Sequence, residues 1–214
     1  MDVIAIARAA GISTGAAVAR YTIRRGSLLR FDPNGGCVAL DGGRCSIHRG
    51  RPLACRLYPL GLERVGEGER FVRLTPAAGS TGLYGKDGTV GEFIAGQDID
   101  ERLALNELYR PLIRVLGARV TELVDFETVE PREFWRRAVA EALRENNFDE
   151  NRIVGAIFDA DGAGCARVSI AATVAAHRAA LTGIARRETD GAALAVAAVL
   201  LAVALGYSPA EAII

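Results

Sequence analysis

One run without a charged side chain constrains the fold most: GAALAVAAVLLAVALGY, from Gly191 to Tyr207. A bilayer span requires about 20 strongly apolar residues, whereas this run is shorter and rich in alanine. Asp190 is placed to cap a helix at its start, and Gly206 is placed to end it. We therefore interpret the run as a buried core helix, which needs other helices around it, and we expect no membrane span.

Apolar periodicity and capping residues predict helices along most of the chain. Two short ones stand at the front: DVIAIARAA, capped by Asp2, and TGAAVARYTIRR, capped by Ser13 and ending at Gly26. A longer one beyond Ile99 contains Pro111, which forces a kink or a break. The predicted helices after Ile99 cover residues 100–115, 131–145, 150–159, 166–187 and the apolar run.

The stretch between Gly26 and Pro76 lacks helical periodicity, and Gly, Pro and Cys are frequent in it. GSLLRF and ERFVRLT have the composition of short strands, and residues 77–98 form a glycine-rich connection with one helical turn near 91–95. The sequence thus predicts an α+β, mostly helical fold. An irregular, cysteine-bearing region covers 1–98 and a helical region covers 99–214, either as two domains or as one.

Composition and charge narrow the function less than the fold. The 214 residues suffice for a core that needs no metal or disulfide to fold. The net charge is zero, and the arginine-rich front half suits either an anionic partner or a plain solvated surface. The opening residues do not resemble a signal peptide, so we expect a cytoplasmic protein with reduced thiols. We expect no nucleic-acid partner, and a protein partner is compatible with the sequence.

Three of the four cysteines stand close together, in GGCVALDGGRCSIHRGRPLACRLYPLGLE. Cys37, Cys45 and Cys55 have the spacing Cys-x7-Cys-x9-Cys, and His48 falls between them. Thiolates and imidazole suit zinc, and thiolates suit iron–sulfur clusters. Nearby arginines would lower the thiol pKa values and offset the charge of a thiolate–metal centre. The spacing alone also fits small buried residues, because it contains no Cys-x2-Cys pair.

The residue pattern of this stretch resembles that of the YkgJ-type cysteine-cluster proteins, also called CxxCxxCC proteins, which are regarded as zinc- or iron-chelating. The match is dense over about 23 residues. It consists of Cys37, Cys45, Ile47, Arg51, Pro52, Cys55, Arg56, Tyr58 and Pro59. The resemblance implies that a zinc ion or an iron–sulfur cluster is bound by the three cysteines.

This sequence departs from the family pattern in its number of thiols. Members carry a further cysteine cluster before the first helix, and this sequence begins at that helix. Some also have a cysteine where Ala78 to Thr81 stand here. Either the start lies further upstream, or part of the site is lost, or His48 or Cys165 completes a four-ligand site. Cys165 alternatively is a small buried residue at a helix start.

Two alternatives belong to other functional classes. Related cysteine clusters resemble the one in flagellin lysine-methylating proteins, which would make the chain a metal-cluster-dependent enzyme, although nothing here resembles a methyl-donor site. AIARAAGISTGAAVARYTIRR resembles a helix-turn-helix, with Arg20, Arg24 and Arg25 on or after its second helix. A helical hairpin docked on the core explains the same residues, and no third helix follows. No catalytic constellation is recognisable.

Overall fold

A computed structural model describes residues 2–65, 68–76, 85, 87–144, 149–158 and 169–207. Ten α-helices and three small two-stranded antiparallel sheets occur within these ranges. The predicted α+β, mostly helical class is confirmed. Cys165, one of the candidate ligands, lies outside the described residues.

The front of the chain forms two helices and then a short hairpin. Helix α1 covers Asp2–Ala10 and α2 covers Thr14–Tyr21. Ser13 caps α2 as predicted, because its side chain accepts a hydrogen bond from the Ala16 N–H at 3.1 Å. The prediction that α2 continues to Gly26 is wrong.

The chain leaves α2 after Tyr21 because the next residues find a strand partner. Strand β1, Thr22–Ile23, pairs with β2, Leu28–Leu29, in an antiparallel hairpin. β-branched residues lose side-chain freedom in a helix and suit a strand. A strand therefore follows α2 where a helix-turn-helix would require its third helix, and α2 packs instead against the later helix Glu150–Phe158, here α8.

The cysteine-bearing stretch folds into two hairpins with a short helix between them. Strand β3, Leu40–Asp41, pairs with β4, Arg44–Cys45. Helix α3 covers Leu53–Leu57. Strands β5, Leu60–Val65, and β6, Gly68–Arg73, pair over six residues each. The sequence predicts β6 but neither α3 nor β5.

The helical region follows the predicted pattern closely. The helices are α4, Val90–Ala95; α5, Asp100–Glu107; α6, Arg110–Leu123; α7, Pro131–Arg144; α8 as given above; α9, Ile170–Arg187; and α10, Gly191–Ala204. The chain breaks between α5 and α6, and Pro111 stands in the first turn of α6. Proline is tolerated there because a first-turn N–H has no intrahelical partner.

Helix α10 is the buried core helix that its composition predicts. Its Asp190 cap accepts hydrogen bonds from the Ala192 and Ala193 N–H groups, and residues all round it are buried, including Leu194, Val196 and Val199. Among the described helices, no single one is both long and apolar enough to cross a bilayer. The pair α1 and α2 passes that test of length and composition together, with a bend of 96° between them.

Three apolar clusters form the core. The largest joins α5, α6, α7, α9 and α10. The second joins α1 and α2 to Ile47 and, from the helical region, Val154. The third joins Leu53 and Leu57 of α3 to Ile99. The second and third clusters therefore take residues from both sides of the boundary predicted near residue 98.

Candidate metal centre

The three predicted thiol ligands stand on three different structural elements. Cys37 forms an isolated antiparallel bridge with Phe31, Cys45 lies in β4 opposite Leu40, and Cys55 lies in α3. All three are half-buried free thiols. The Cys37 and Cys45 side chains pack against the second cluster, beside α1 and α2.

The glycines around Cys45 serve local geometry. Gly42 and Gly43 have φ values of +55° and +78°, as both central residues of a two-residue type I′ hairpin turn require. This turn joins β3 to β4 and so fixes the position of Cys45.

Helix α1 supports the site through close backbone packing. Gly50 is buried, and a Cβ atom at that position would lie 2.2 Å from the carbonyl oxygen of Ala5. Only glycine permits that approach. The turn that follows Cys45 therefore packs directly against the backbone of α1.

Asp2 joins α1 to the helix that carries Cys55. Its Oδ2 atom accepts a hydrogen bond from the Leu53 N–H at 3.2 Å, and its Oδ1 atom accepts one from Arg102 Nη1 at 2.9 Å. The sequence suggests Asp2 as the cap of α1, but it is the first residue of α1 and its carboxylate is used by α3 and α5 instead. No local signal in the sequence points to this role, because the partners are 51 and 100 residues away.

The Cys55 thiol is protonated at neutral pH. Its pKa is raised from 9.0 to about 11, chiefly by burial and also by the nearby Cys37, Cys45 and Asp2, while Arg51 acts in the opposite direction. Desolvation penalises the thiolate, and neighbouring negative charge does the same. Cys37 and Cys45 therefore both lie near enough to Cys55 to disfavour its thiolate.

The expectation that nearby arginines lower the thiol pKa holds for Arg51 at Cys55, although the net shift is upward. Arg56 is occupied elsewhere: its guanidinium donates to the carbonyl oxygens of Arg51, Gln97 and Arg49 at 2.9 to 3.1 Å. Arg56 therefore ties together the backbone of three segments. Arg51 alone is among the causes that lower the pKa of Cys55, and burial outweighs it.

The described side chains do not form a ready-made coordination set. Within the ranges that the structure covers, no three or more His, Cys, Asp and Glu side chains are arranged to hold a metal ion. His48, one reserve ligand, is exposed in a short 3₁₀ turn after Cys45. The other, Cys165, lies outside the described residues. The donors have the chemistry that zinc and iron–sulfur clusters require, but not their geometry.

The second histidine has a structural role, as its place in a helix suggests. His177 of α9 is buried, and its Nδ1 atom lies 2.9 Å from the hydroxyl oxygen of Tyr109. The rings meet edge to face, with centroids 5.7 Å apart. Burial raises the pKa of Tyr109 well above its usual range, so the hydroxyl keeps its proton.

Comparison with known proteins finds no matching family model, no matching curated protein and no matching solved structure.

Proposed function

We propose that this chain binds zinc or an iron–sulfur cluster through Cys37, Cys45 and Cys55, in the reducing conditions of the cytoplasm. The observation that supports the proposal is that Cys37 and Cys45 both contribute to the raised pKa of Cys55. Two segments next to these thiols contact α1. The turn at Gly50, which follows Cys45, packs against α1, and Asp2 of α1 caps α3, which carries Cys55. The resemblance of residues 37–59 to YkgJ-type proteins supports the same function.

Binding requires two changes from the described arrangement. The thiols must move closer together, because sulfurs around zinc lie about 2.3 Å from the metal. Cys55 must also lose its proton, because the thiolate is the ligand. Metal binding commonly couples to both deprotonation and local folding. The short elements involved, a two-residue strand pair and a one-turn helix, are suited to such rearrangement.

A fourth ligand comes from outside the three cysteines. His48 follows Cys45 by three residues, and its exposed ring can turn toward the thiols without breaking a core contact. Cys165 is the reserve thiol. Substituting each one separately distinguishes these two, because a lost ligand weakens metal binding while an uninvolved residue does not.

Anaerobic purification, elemental analysis and a visible spectrum test the proposal. We expect up to one metal centre per chain, colourless for zinc and brown for an iron–sulfur cluster. Cys55→Ser should abolish it, whereas Ser46→Ala, next to Cys45 but without a thiol, should retain it. A wild-type protein that stays metal-free after reconstitution with zinc, and separately with iron and sulfide, contradicts the proposal.

The pH dependence of zinc binding gives a second test. Because burial keeps Cys55 protonated up to about pH 11, zinc must displace its proton. The apparent zinc affinity of the full chain should therefore rise with pH between 6 and 8, by about tenfold per unit for each proton released. An affinity that does not change with pH means that Cys55 is not a ligand.

A further inference from the structure

Two neighbouring cavities lie where the front of the chain meets the helical region. The first, of about 130 Å³ and here called the polar cavity, is lined in part by polar side chains, among them Arg25, Asn106, Tyr109, Asn151 and His177. The second, of about 380 Å³ and here called the apolar cavity, is lined mainly by apolar side chains, among them Ile6, Leu29, Leu53, Leu57, Leu62 and Leu74. A small cavity with several polar side chains thus lies beside a larger one with few.

The two cavities share part of their walls. Seven residues line both: Asp2, Val3, Gly26, Ser27, Asn106, Ala204 and Leu205. A molecule with a polar end and an apolar body can therefore occupy them together. Pockets for small ligands in proteins have this composition, mostly apolar with a few placed polar groups.

Arg25 supplies the positive charge of the polar cavity. Its Nη1 atom is buried and has no hydrogen-bond partner among the residues that the structure describes. The neighbouring Tyr109 hydroxyl and His177 ring already contact each other at 2.9 Å. A buried guanidinium nitrogen without a partner is costly, and an acceptor brought in by a ligand removes that cost.

The backbone around Arg25 is held in an unfavourable conformation. Arg24, Arg25 and Gly26 have φ values of +48°, +53° and +90° in succession, which residues other than glycine adopt rarely. The Asn151 side chain donates a hydrogen bond to the Arg25 carbonyl. A Cβ atom on Gly26 would lie 3.1 Å from Val3 and 3.2 Å from Asn151. Such strain persists where the surroundings fix it, and it is concentrated at ligand sites.

The acidic group beside Arg25 is already occupied. Asp2 lines the polar cavity, but its two carboxylate oxygens accept hydrogen bonds from the Leu53 N–H and from Arg102. No other Asp or Glu stands among the described residues that line this cavity. The site therefore favours an anion.

We propose that the two cavities bind an aliphatic monocarboxylic acid, with its carboxylate at Arg25 and its chain in the apolar cavity. A guanidinium matches a carboxylate through paired charge-assisted hydrogen bonds. The amide of Asn106 adds a neutral donor, while that of Asn151 is engaged by the Arg25 carbonyl oxygen. The polar cavity has room for about four water molecules, which suits a carboxylate better than the bulkier head of a phosphate monoester. The site is separate from the three thiols.

Calorimetric titration of the full chain with decanoate, decanol and decyl phosphate tests this. Decanoate should bind at least tenfold more tightly than decanol, because the alcohol lacks the charge, and more tightly than decyl phosphate, because of the small polar cavity. Arg25→Gln should weaken decanoate binding tenfold or more and leave decanol binding unchanged. Arg144→Gln, the matched change at an exposed arginine of α7, should alter neither.

A second variant keeps the test decisive if Arg25→Gln does not fold. Ala204 is exposed and lines both cavities, so Ala204→Phe should block their junction and abolish decanoate binding while the circular dichroism spectrum stays unchanged. Equal binding of decanoate and decanol, tighter binding of decyl phosphate, or decanoate binding that survives Ala204→Phe would each overturn the proposal.

Discussion

Asp2 Oδ2 accepts a hydrogen bond from the backbone N–H of Leu53 at 3.2 Å, so the first residue of α1 caps the helix that carries Cys55. The other carboxylate oxygen pairs with Arg102, whose side chain is 12% exposed. One side chain therefore connects α1, α3 and α5. Asp2 also lies near enough to Cys55 to raise the pKa of its thiol, so this connection is electrostatic as well as structural.

Asp2→Asn should lower the pKa of the Cys55 thiol and destabilise the fold. Removal of the negative charge makes the thiolate less unfavourable, and the cap and the ion pair are weakened, at a cost of about 1 to 2 kcal/mol. The pH dependence of thiol alkylation, followed at Cys55 by mass spectrometry, measures the first effect, and urea unfolding measures the second. Glu122→Gln, at an exposed ion pair on α6, is the control. An unchanged alkylation profile in Asp2→Asn would show that Asp2 does not act on Cys55.

The raised pKa of Cys55 predicts a loss of stability in alkaline solution. The folded-state pKa of about 11 lies above the ordinary value of 9.0, so folding favours the protonated thiol. This contribution is complete below pH 9 and is lost as the pH rises through about 11. After allowance for solvent screening at a partly exposed group, it amounts to about 1 to 2 kcal/mol.

Urea unfolding of wild type and Cys55→Ser at pH 8, 9.5 and 10.5 measures this loss. Tyrosine ionisation affects both proteins equally, so the difference between them isolates Cys55. We expect the wild-type free energy of unfolding to fall more steeply with pH than that of the serine variant. Parallel curves would mean that the Cys55 thiol has an ordinary pKa.

Local signals in the sequence predict much of this fold. Helix α10 could be predicted because seventeen uncharged residues follow a capping Asp190, and α2 begins at Ser13, whose side chain caps it within three residues. Both signals act between neighbours in the chain. The end of α2 could not be predicted, because Thr22 and Ile23 leave the helix to pair with Leu29 and Leu28.

The candidate site was less predictable, because its determinants are distant in sequence. The residue pattern around Cys37, Cys45 and Cys55 predicts that the three thiols form one site, and the structure shows that Cys37 and Cys45 affect the pKa of Cys55. The direction of the pKa shift could not be predicted, because it depends on burial and on Asp2. Arg56, one of the nearby arginines expected to lower the thiol pKa, instead donates hydrogen bonds to three carbonyl oxygens.

The Tyr109–His177 contact predicts a measurable coupling in the core. Tyr109→Phe removes the hydroxyl that lies 2.9 Å from His177 Nδ1, and we expect a loss of about 1 to 2 kcal/mol in unfolding free energy. His177→Leu should also destabilise the protein. In the double variant the two losses should be less than additive, by about 0.5 kcal/mol or more, because the residues share one interaction. Strict additivity in urea unfolding would contradict a direct hydrogen bond.

Two glycines of the front region should respond oppositely to the same substitution. At Gly50, a Cβ atom would lie 2.2 Å from the Ala5 carbonyl oxygen and 2.7 Å from Ala9 Cβ. α1 must move to admit it, so Gly50→Ala should destabilise the protein by about 3 kcal/mol or more. At Gly15, in the first turn of α2, nothing lies within 4 Å of an added Cβ atom.

Gly15→Ala should therefore be neutral or stabilise the protein by up to about 1 kcal/mol, because alanine favours the helix. Thermal unfolding of both variants, monitored by circular dichroism, gives the comparison. Since the turn at Gly50 follows Cys45 and rests on α1, Gly50→Ala should also make the Cys45 thiol react faster with an alkylating reagent, whereas Gly15→Ala should not. Equal stabilities of the two variants would mean that α1 does not support the cysteine-bearing segment through this contact.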